Sequence, residues 1–295
     1  MGIYRVKNKE WKSYSLLISP TVIFVIFLQF YPLAYSFYIS FQEWALTSSQ
    51  LPQGFNYLKN YNDILNDSVF HRAVKNSLVI TITSVFFQIV LGVILAYLTI
   101  GSTWTIRCIR TILILPMVIA PVAAGTLWRM LFNSRSGLIN NLLIKVGIVG
   151  PEWLSDQTWS VISVIILDIW QATPFVLLVV VAGISSIPKD FQESASIDGA
   201  SRFQIFLRID LPILTPLLLI VFLFRFMDSL LNMDSVYSLT FGGPGYGTYT
   251  LTFYIYTLGL RNFNFGDASA ASWIFMFFSI IFISFIFYLQ KKYEN

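Results

Sequence analysis

190-DFQESASIDGASRFQIFLRIDLPILTP-216 is a polar, patterned segment set between two of the most apolar stretches of the chain. It carries carboxylates at Asp190, Glu193, Asp198 and Asp210, guanidinium groups at Arg202 and Arg208, and several small residues. Pro188, just before it, suits a first helical position, where its missing N–H would have no partner anyway. Residues 188–197 then read as a short helix with Asp190 and Glu193 in its first turns, where the helix dipole favours acids. Gly199 fits the stop, because glycine tolerates the left-handed conformation that follows many helices. Ser201 can cap a second helix running through Arg208 into the next apolar stretch. Pro212 falls in that second helix and is expected to bend it. The spacing thus predicts two short helices meeting at a glycine corner. One face of the first carries Phe191, Ser194, Ala195 and Asp198, whose small members leave room for another chain to approach. Acids on such a face suit a partner that supplies arginines. A solvated connecting loop is the plainer alternative that composition leaves open.

The surroundings of the segment decide where it lies. Of the 295 residues, 56% are hydrophobic and 12% charged, against about 25% charged in a soluble domain. This composition belongs to membrane proteins, and the 17% of aromatic residues suits lipid-facing and interfacial positions. A helix needs about 20 residues to cross the hydrocarbon core. Six segments qualify: 16–39, 77–100, 111–132, 158–183, 211–231 and 270–289. The first is too long for a signal-peptide core and reads as a retained span. With the N-terminus inside, the cytoplasmic segments hold Arg5, Lys7, Lys9, Lys12, Arg107, Arg110, Lys189, Arg202, Arg208, Lys291 and Lys292. These outnumber the outer Lys59, Arg72, Lys75, Arg135, Lys145 and Arg261. Basic loops favour the cytoplasmic side, so both termini and the 190–216 segment are expected there. The net charge of +4 is read through these loops, not as a nucleic-acid footprint.

The chemistry of enzymes finds little support. Cys108 and His71 are the single cysteine and histidine, which excludes an internal disulfide and a Cys/His metal cluster. Cys108 reads as a small apolar residue at a helix entrance, and His71 as an interfacial polar group. No Gly-x4-Gly-Lys-Ser/Thr nucleotide loop occurs, so an ATP-driven process would need its energy source in another polypeptide. The two halves of the chain do not mirror one another as those of many secondary transporters do.

Glu193-Ser194-Ala195, Asp198-Gly199-Ala200 and Leu211-Pro212 together resemble the cytoplasmic coupling loop of ABC-importer permeases, with Ser194 in place of an alanine. Two further stretches, 113-LILPMVIAPVAAGTLWRMLFNSRSGLIN-140 and 238-SLTFGGPGYGTYTLTFYIY-256, resemble the carbohydrate-uptake branch of that family. The Thr-x-Gly-Gly-Pro at Thr240–Pro244 is similar to the maltose-type first permease subunit. The resemblance covers roughly 70–290. It implies an all-α membrane protein with six transmembrane helices, both termini cytoplasmic, and a MetI-like ABC importer transmembrane domain. In domain terms, residues 1–69 would be the tail, first span and outer loop, and 70–290 the permease core with its coupling loop at 188–210. The role implied is a non-enzymatic permease subunit of a binding-protein-dependent sugar importer in the bacterial inner membrane. Its implied partners are a second permease, two ATPase subunits that bind ATP and Mg, and an extracytoplasmic solute-binding protein. The coupling residues carried over are Glu193, Ser194, Ala195, Asp198, Gly199, Ala200 and Phe203. A stand-alone secondary sugar transporter is the competing reading.

Ionisable residues inside spans mark functional positions by default. Here they are Arg129, Asp168, Arg225 and Asp228. Arg129 lies close enough to the outer end of its span to snorkel. Asp168 is near mid-depth, followed by Trp170, Gln171 and a helix-loosening Pro174. Arg225, Ser229 and Asn232 share one helix face, which should point into the protein. The expected substrate path, part by resemblance, is Trp170, Gln171, Ala172, Arg225, Ser229 and Asn232. Arg225 allows two readings: recognition of an anionic sugar, bidentately, or pairing with Asp228 or Asp168. Residues 242–247, GGPGYG, lack the lysine of a phosphate loop and read as an outer turn.

Overall fold

The computed structural model describes residues 8–294, with side chains described over 14–288. Among the described residues the regular structure is helical, and β-pairing is confined to two isolated bridges, Gln42 with Phe55 and Ala45 with Asn264. Among the described residues, five helices are long and apolar enough to cross a membrane: Tyr14–Ile39, Ser68–Leu98, Gln157–Ser186, Arg202–Leu231 and Phe265–Tyr288. A further pair, Trp104–Val118 and Pro121–Leu131, meets the same test jointly but is bent by 100°. With that pair counted as one, the spans number six.

The continuous third span expected over 111–132 is therefore corrected to a broken one. Pro121 begins the second arm, and Ala120 before it is extended, with ψ 136°. The ring of a proline drives the preceding residue out of the helical region. Ile119 is extended as well, with ψ 130°, and Pro116 removes another backbone donor from the first arm. Gln171 Nε2 donates to the released Ile119 carbonyl at 2.9 Å. Non-helical backbone at membrane depth requires such a partner.

The second and fifth spans begin earlier than hydropathy alone suggests. The second starts at Ser68, where the Asp67 side chain accepts the Val69 N–H at 2.8 Å. The fifth grows directly out of the polar loop at Arg202, with a π-helical turn over Phe206–Asp210. Pro212 follows that turn, where the Leu211 N–H reaches back to the Phe206 carbonyl. The irregularity expected at Pro212 is thus present as a π turn just ahead of it.

The chain folds as two compact units. One joins the residues up to Asn66 with Ile255–Ile274, and the other joins Asp67–Tyr254 with the residues from Phe275 onward. In the first, the Trp273 indole donates to Ser36 Oγ at 3.0 Å, and buried Asn60 donates to the carbonyls of Ser40 and Gln42 at 2.9 Å each. In the second, the second, fourth and fifth spans share a core that includes Ala96, Val176, Leu177, Val180, Leu214 and Val221. Gly92 permits the closest approach there, since a Cβ on it would lie 2.5 Å from Val176 Cγ1. Small residues at helix contacts are what membrane packing demands, because lipid is as apolar as leucine. The glycine-rich turn at 242–247 is tied to the second span. Arg72 donates to the Gly245 carbonyl at 2.8 Å and Asn76 to that of Tyr246 at 3.0 Å.

Candidate functional site

Two sites take shape, both within the second unit. The first is the polar loop. Its leading helix runs Lys189–Ile197, with Asp190 in the first turn. Pro188 caps that helix with φ −58° and ψ 128°, so it precedes the first helical position expected for it. Gly199 has φ +81°, and the N–H of Ala200 returns to the Ala195 carbonyl at 3.0 Å. A left-handed glycine with a backward hydrogen bond is the usual close of a helix. An added Cβ at Gly199 would meet nothing within 4 Å, so backbone conformation, not space, demands the glycine. Ser201 then opens the next helix with a reciprocal cap: its N–H donates to Gln204 Oε1 at 2.8 Å, and its Oγ accepts the Gln204 N–H at 3.3 Å. Such a box satisfies two orphan donors at once.

The expected coupling residues therefore share one corner. Glu193, Ser194, Asp198 and Gly199 are exposed, and Ala195 and Ala200 half-buried. Phe203 is 68% and Ile197 85% exposed, a costly display for a segment facing only water. A concavity of about 350 Å³ lies in the corner, lined by Ala195, Asp198, Gly199, Ala200, Gln204 and Arg208 among others. Among the described residues, neither the Glu193 nor the Asp198 carboxylate has an ion-pair or side-chain hydrogen-bond partner.

The second site is a polar cluster at the junction of the second, fourth and fifth spans. Asp168 is 4% exposed. Its Oδ2 accepts from Gln88 Nε2 at 3.0 Å and from Ser229 Oγ at 2.8 Å. Its Oδ1 accepts from Asn232 Nδ2 at 3.4 Å and lies 3.8 Å from one terminal nitrogen of Arg225. Arg225 also donates through Nε to Gln88 Oε1 at 2.9 Å, and its other terminal nitrogen pairs with Asp228. A buried charge persists only when paired and hydrogen-bonded; buried Asp168 and Arg225 meet that condition, and Asp228 is exposed. Asn232 ends the fifth span, and its Oδ1 accepts the Ser235 N–H at 3.2 Å, opening the short helix Asp234–Leu239.

Beside the cluster lies a cavity of about 560 Å³, within the usual size range of ligand sites. Of the expected path residues, Gln171, Ala172, Arg225 and Asn232 line it, together with Asp168, Asp228, Asp234, Met117, Phe175 and others. Ser229 does not line it; its hydroxyl holds Asp168 from the side. Trp170 is not in the lining either. Its ring is half-buried and lies edge-on to Trp128 of the broken span, with centroids 5.5 Å apart. Gln171 already has a partner, the Ile119 carbonyl. Gln88 is the residue that sequence reasoning missed. It is fully buried, and its signal was an amide inside the apolar inner stretch of the second span.

The family model described as "Binding-protein-dependent transport system inner membrane component" matches residues 88–294. A probable ABC transporter permease protein of Sinorhizobium fredii is 37% identical over 84% of this chain and 80% of its own length. The trehalose/maltose transport system permease protein MalF of Thermococcus litoralis is 30% identical over 97% of this chain and 95% of its own length. Among solved structures, a chain of a bacterial alginate ABC transporter, in complex with an alginate pentasaccharide-bound periplasmic protein, superposes with a TM-score of 0.83. It is 23% identical and covers 98% of this chain and 97% of that one.

Proposed function

Because this chain belongs to the family of binding-protein-dependent transport system inner membrane components, we propose that it is the membrane-spanning permease subunit of an ATP-driven sugar importer. Its relatives named for sugars support the substrate class. The observation that carries the coupling role is the 188–210 corner: two capped helices, a left-handed glycine, free acids and exposed aromatic and aliphatic side chains. A short stiff element transmits a push, and free acids suit arginines on a partner. On this reading both termini and the corner are cytoplasmic, and Glu193 pairs with a basic group of an ATPase chain. ATP and Mg bind to two such chains. A second permease completes the path, a solute-binding protein delivers the sugar from outside, and ATP-driven closure switches the spans between inward-open and outward-open states.

The cavity favours a neutral, hydroxyl-rich sugar over an anionic one. Arg225 already donates to Gln88 and Asp228 and is ion-paired with Asp168, and the lining sets three carboxylates against this one guanidinium. Carboxylates there can accept from sugar hydroxyls, whereas a sugar acid would meet repulsion. Arg225→Ser should leave the preference between matched neutral and uronate oligosaccharides unchanged. A loss of uronate uptake alone would restore the anionic reading.

The test of the function is uptake into vesicles holding this chain with its second permease, assayed with a panel of labelled neutral oligosaccharides and the binding protein. Uptake is expected only when the ATPase chains and internal ATP are present. Accumulation without them would favour a stand-alone secondary transporter.

A further inference from the structure

We propose that Asp210 is a positioning residue, the tie that makes the Lys189–Ile197 helix and the cytoplasmic end of the second span move as one body. It lies outside the loop motif and ends the π-helical turn Phe206–Asp210. Although it is a carboxylate at the root of an exposed loop, it is only 3% exposed. Its two oxygens serve two different elements. Oδ1 accepts from Gln192 Nε2 of the loop helix at 2.9 Å, and Oδ2 accepts from the Tyr97 hydroxyl at 2.9 Å. Tyr97 is in the last turn of the second span, and its ring lies edge-on to Phe206 of the same π turn, with centroids 5.0 Å apart. One side chain of the fifth span therefore binds the loop helix on one side and the second span on the other.

The π turn has a physical purpose in this arrangement. One extra residue in a helix rotates everything before it by roughly 100° relative to everything after it. That rotation sets the phase of the loop corner against the span without disturbing the contacts beyond Leu211. A buried carboxylate is tolerated only where donors replace water, and here the donors come from exactly the two elements that must stay together. A push on the exposed corner is then delivered to two spans at once. By contrast, the other side-chain bond within the loop helix, Ser196 Oγ to the Gln192 carbonyl at 2.7 Å, is internal to that helix.

The inference rests on the reading of 188–210 as the docking element, and the experiment keeps the two apart. In the assembled importer with Cys108 replaced by serine, spin labels are placed at Lys189, the exposed first residue of the loop helix, and at Leu98, which is 72% exposed. A reference pair uses Lys189 and Met130, the latter 72% exposed. Distances are measured without nucleotide and with ATP plus vanadate. The Lys189–Leu98 distance should be narrow and the same in both states, while the reference pair shifts. Asp210→Ala should broaden Lys189–Leu98 in both states, and Asp210→Asn, which keeps an acceptor for one donor, should largely restore it. Tyr97→Phe keeps the ring on Phe206 and loses only the hydroxyl, and should broaden it less than Asp210→Ala does. A narrow, unchanged Lys189–Leu98 distance in Asp210→Ala and Tyr97→Phe would overturn the tie. A reference pair that ignores nucleotide in the unmutated importer would instead overturn the docking reading, while the nucleotide-free widths still decide the tie.

Discussion

In the fourth span, Asp168 takes hydrogen bonds from Gln88, Ser229 and Asn232 and has Arg225 beside it. In the loop that follows, Glu193 and Asp198 face outward and have no side-chain partner among the described residues. The carboxylate chemistry is the same, and the environments are opposite. Inside the membrane an unpaired charge is prohibitively unfavourable, so the cluster must be complete within the chain. At the surface water solvates a carboxylate at little cost, so the loop can hold acids in reserve for another polypeptide. The contrast separates what this chain forms alone, a polar wall beside a cavity, from the partner-dependent role proposed for the corner.

The comparison is broken most severely by removing one member of the inner cluster. Asp168→Leu strips Gln88, Ser229 and Asn232 of their shared acceptor and leaves Arg225 with Asp228 as its remaining counter-charge, and about 3 kcal/mol of stability should be lost. Thermal unfolding in detergent would record it as a large fall in Tm. The double variant Asp168→Leu/Arg225→Met should recover much of that loss, because an apolar pair replaces an ionic one. Equal Tm values for the single and double variants would mean the pair does not act as a unit.

Next in size is the glycine corner. Gly199→Val must adopt φ +81° with a β-branched side chain, at about 1–2 kcal/mol or more. Gly199→Asn should cost clearly less, since asparagine visits that region readily. Because the site is sterically open, the ranking isolates backbone strain, and equal losses for valine and asparagine would contradict it. Smallest is Ser201→Ala, which removes one half of the capping box for about 1 kcal/mol. Hydrogen exchange at Gln204 should speed up while amides of the fourth span stay protected.

These two regions were not equally legible in the sequence. The corner was, because Gly199, Ser201 and the leading acids are local signals whose meaning depends on neighbours within a few residues. The placement of Asp168 with Arg225, Ser229 and Asn232 was partly legible, since helical spacing puts the last three on one face. Gln88 was not, because its partners lie 80 and 137 positions away and an amide in an apolar stretch does not by itself name them. The break at Ile119–Ala120 was masked by hydropathy, which averages over a bend, although Pro116 and Pro121 were the cue. The contact of Trp170 with Trp128 was not legible either, because the two rings come from different helices and meet only in the fold.

The central claim is that the outward acids of the corner are incomplete without a nucleotide-hydrolysing partner. The most direct measurement is ATP-dependent uptake and ATPase co-purification for Glu193→Lys, alongside the Tm of the purified chain. The account predicts an unchanged Tm, at least a tenfold loss of uptake, and loss of ATPase binding at ordinary ionic strength, since like charge now faces the partner's basic group. Uptake and assembly at the unmutated level with lysine at this position would contradict it.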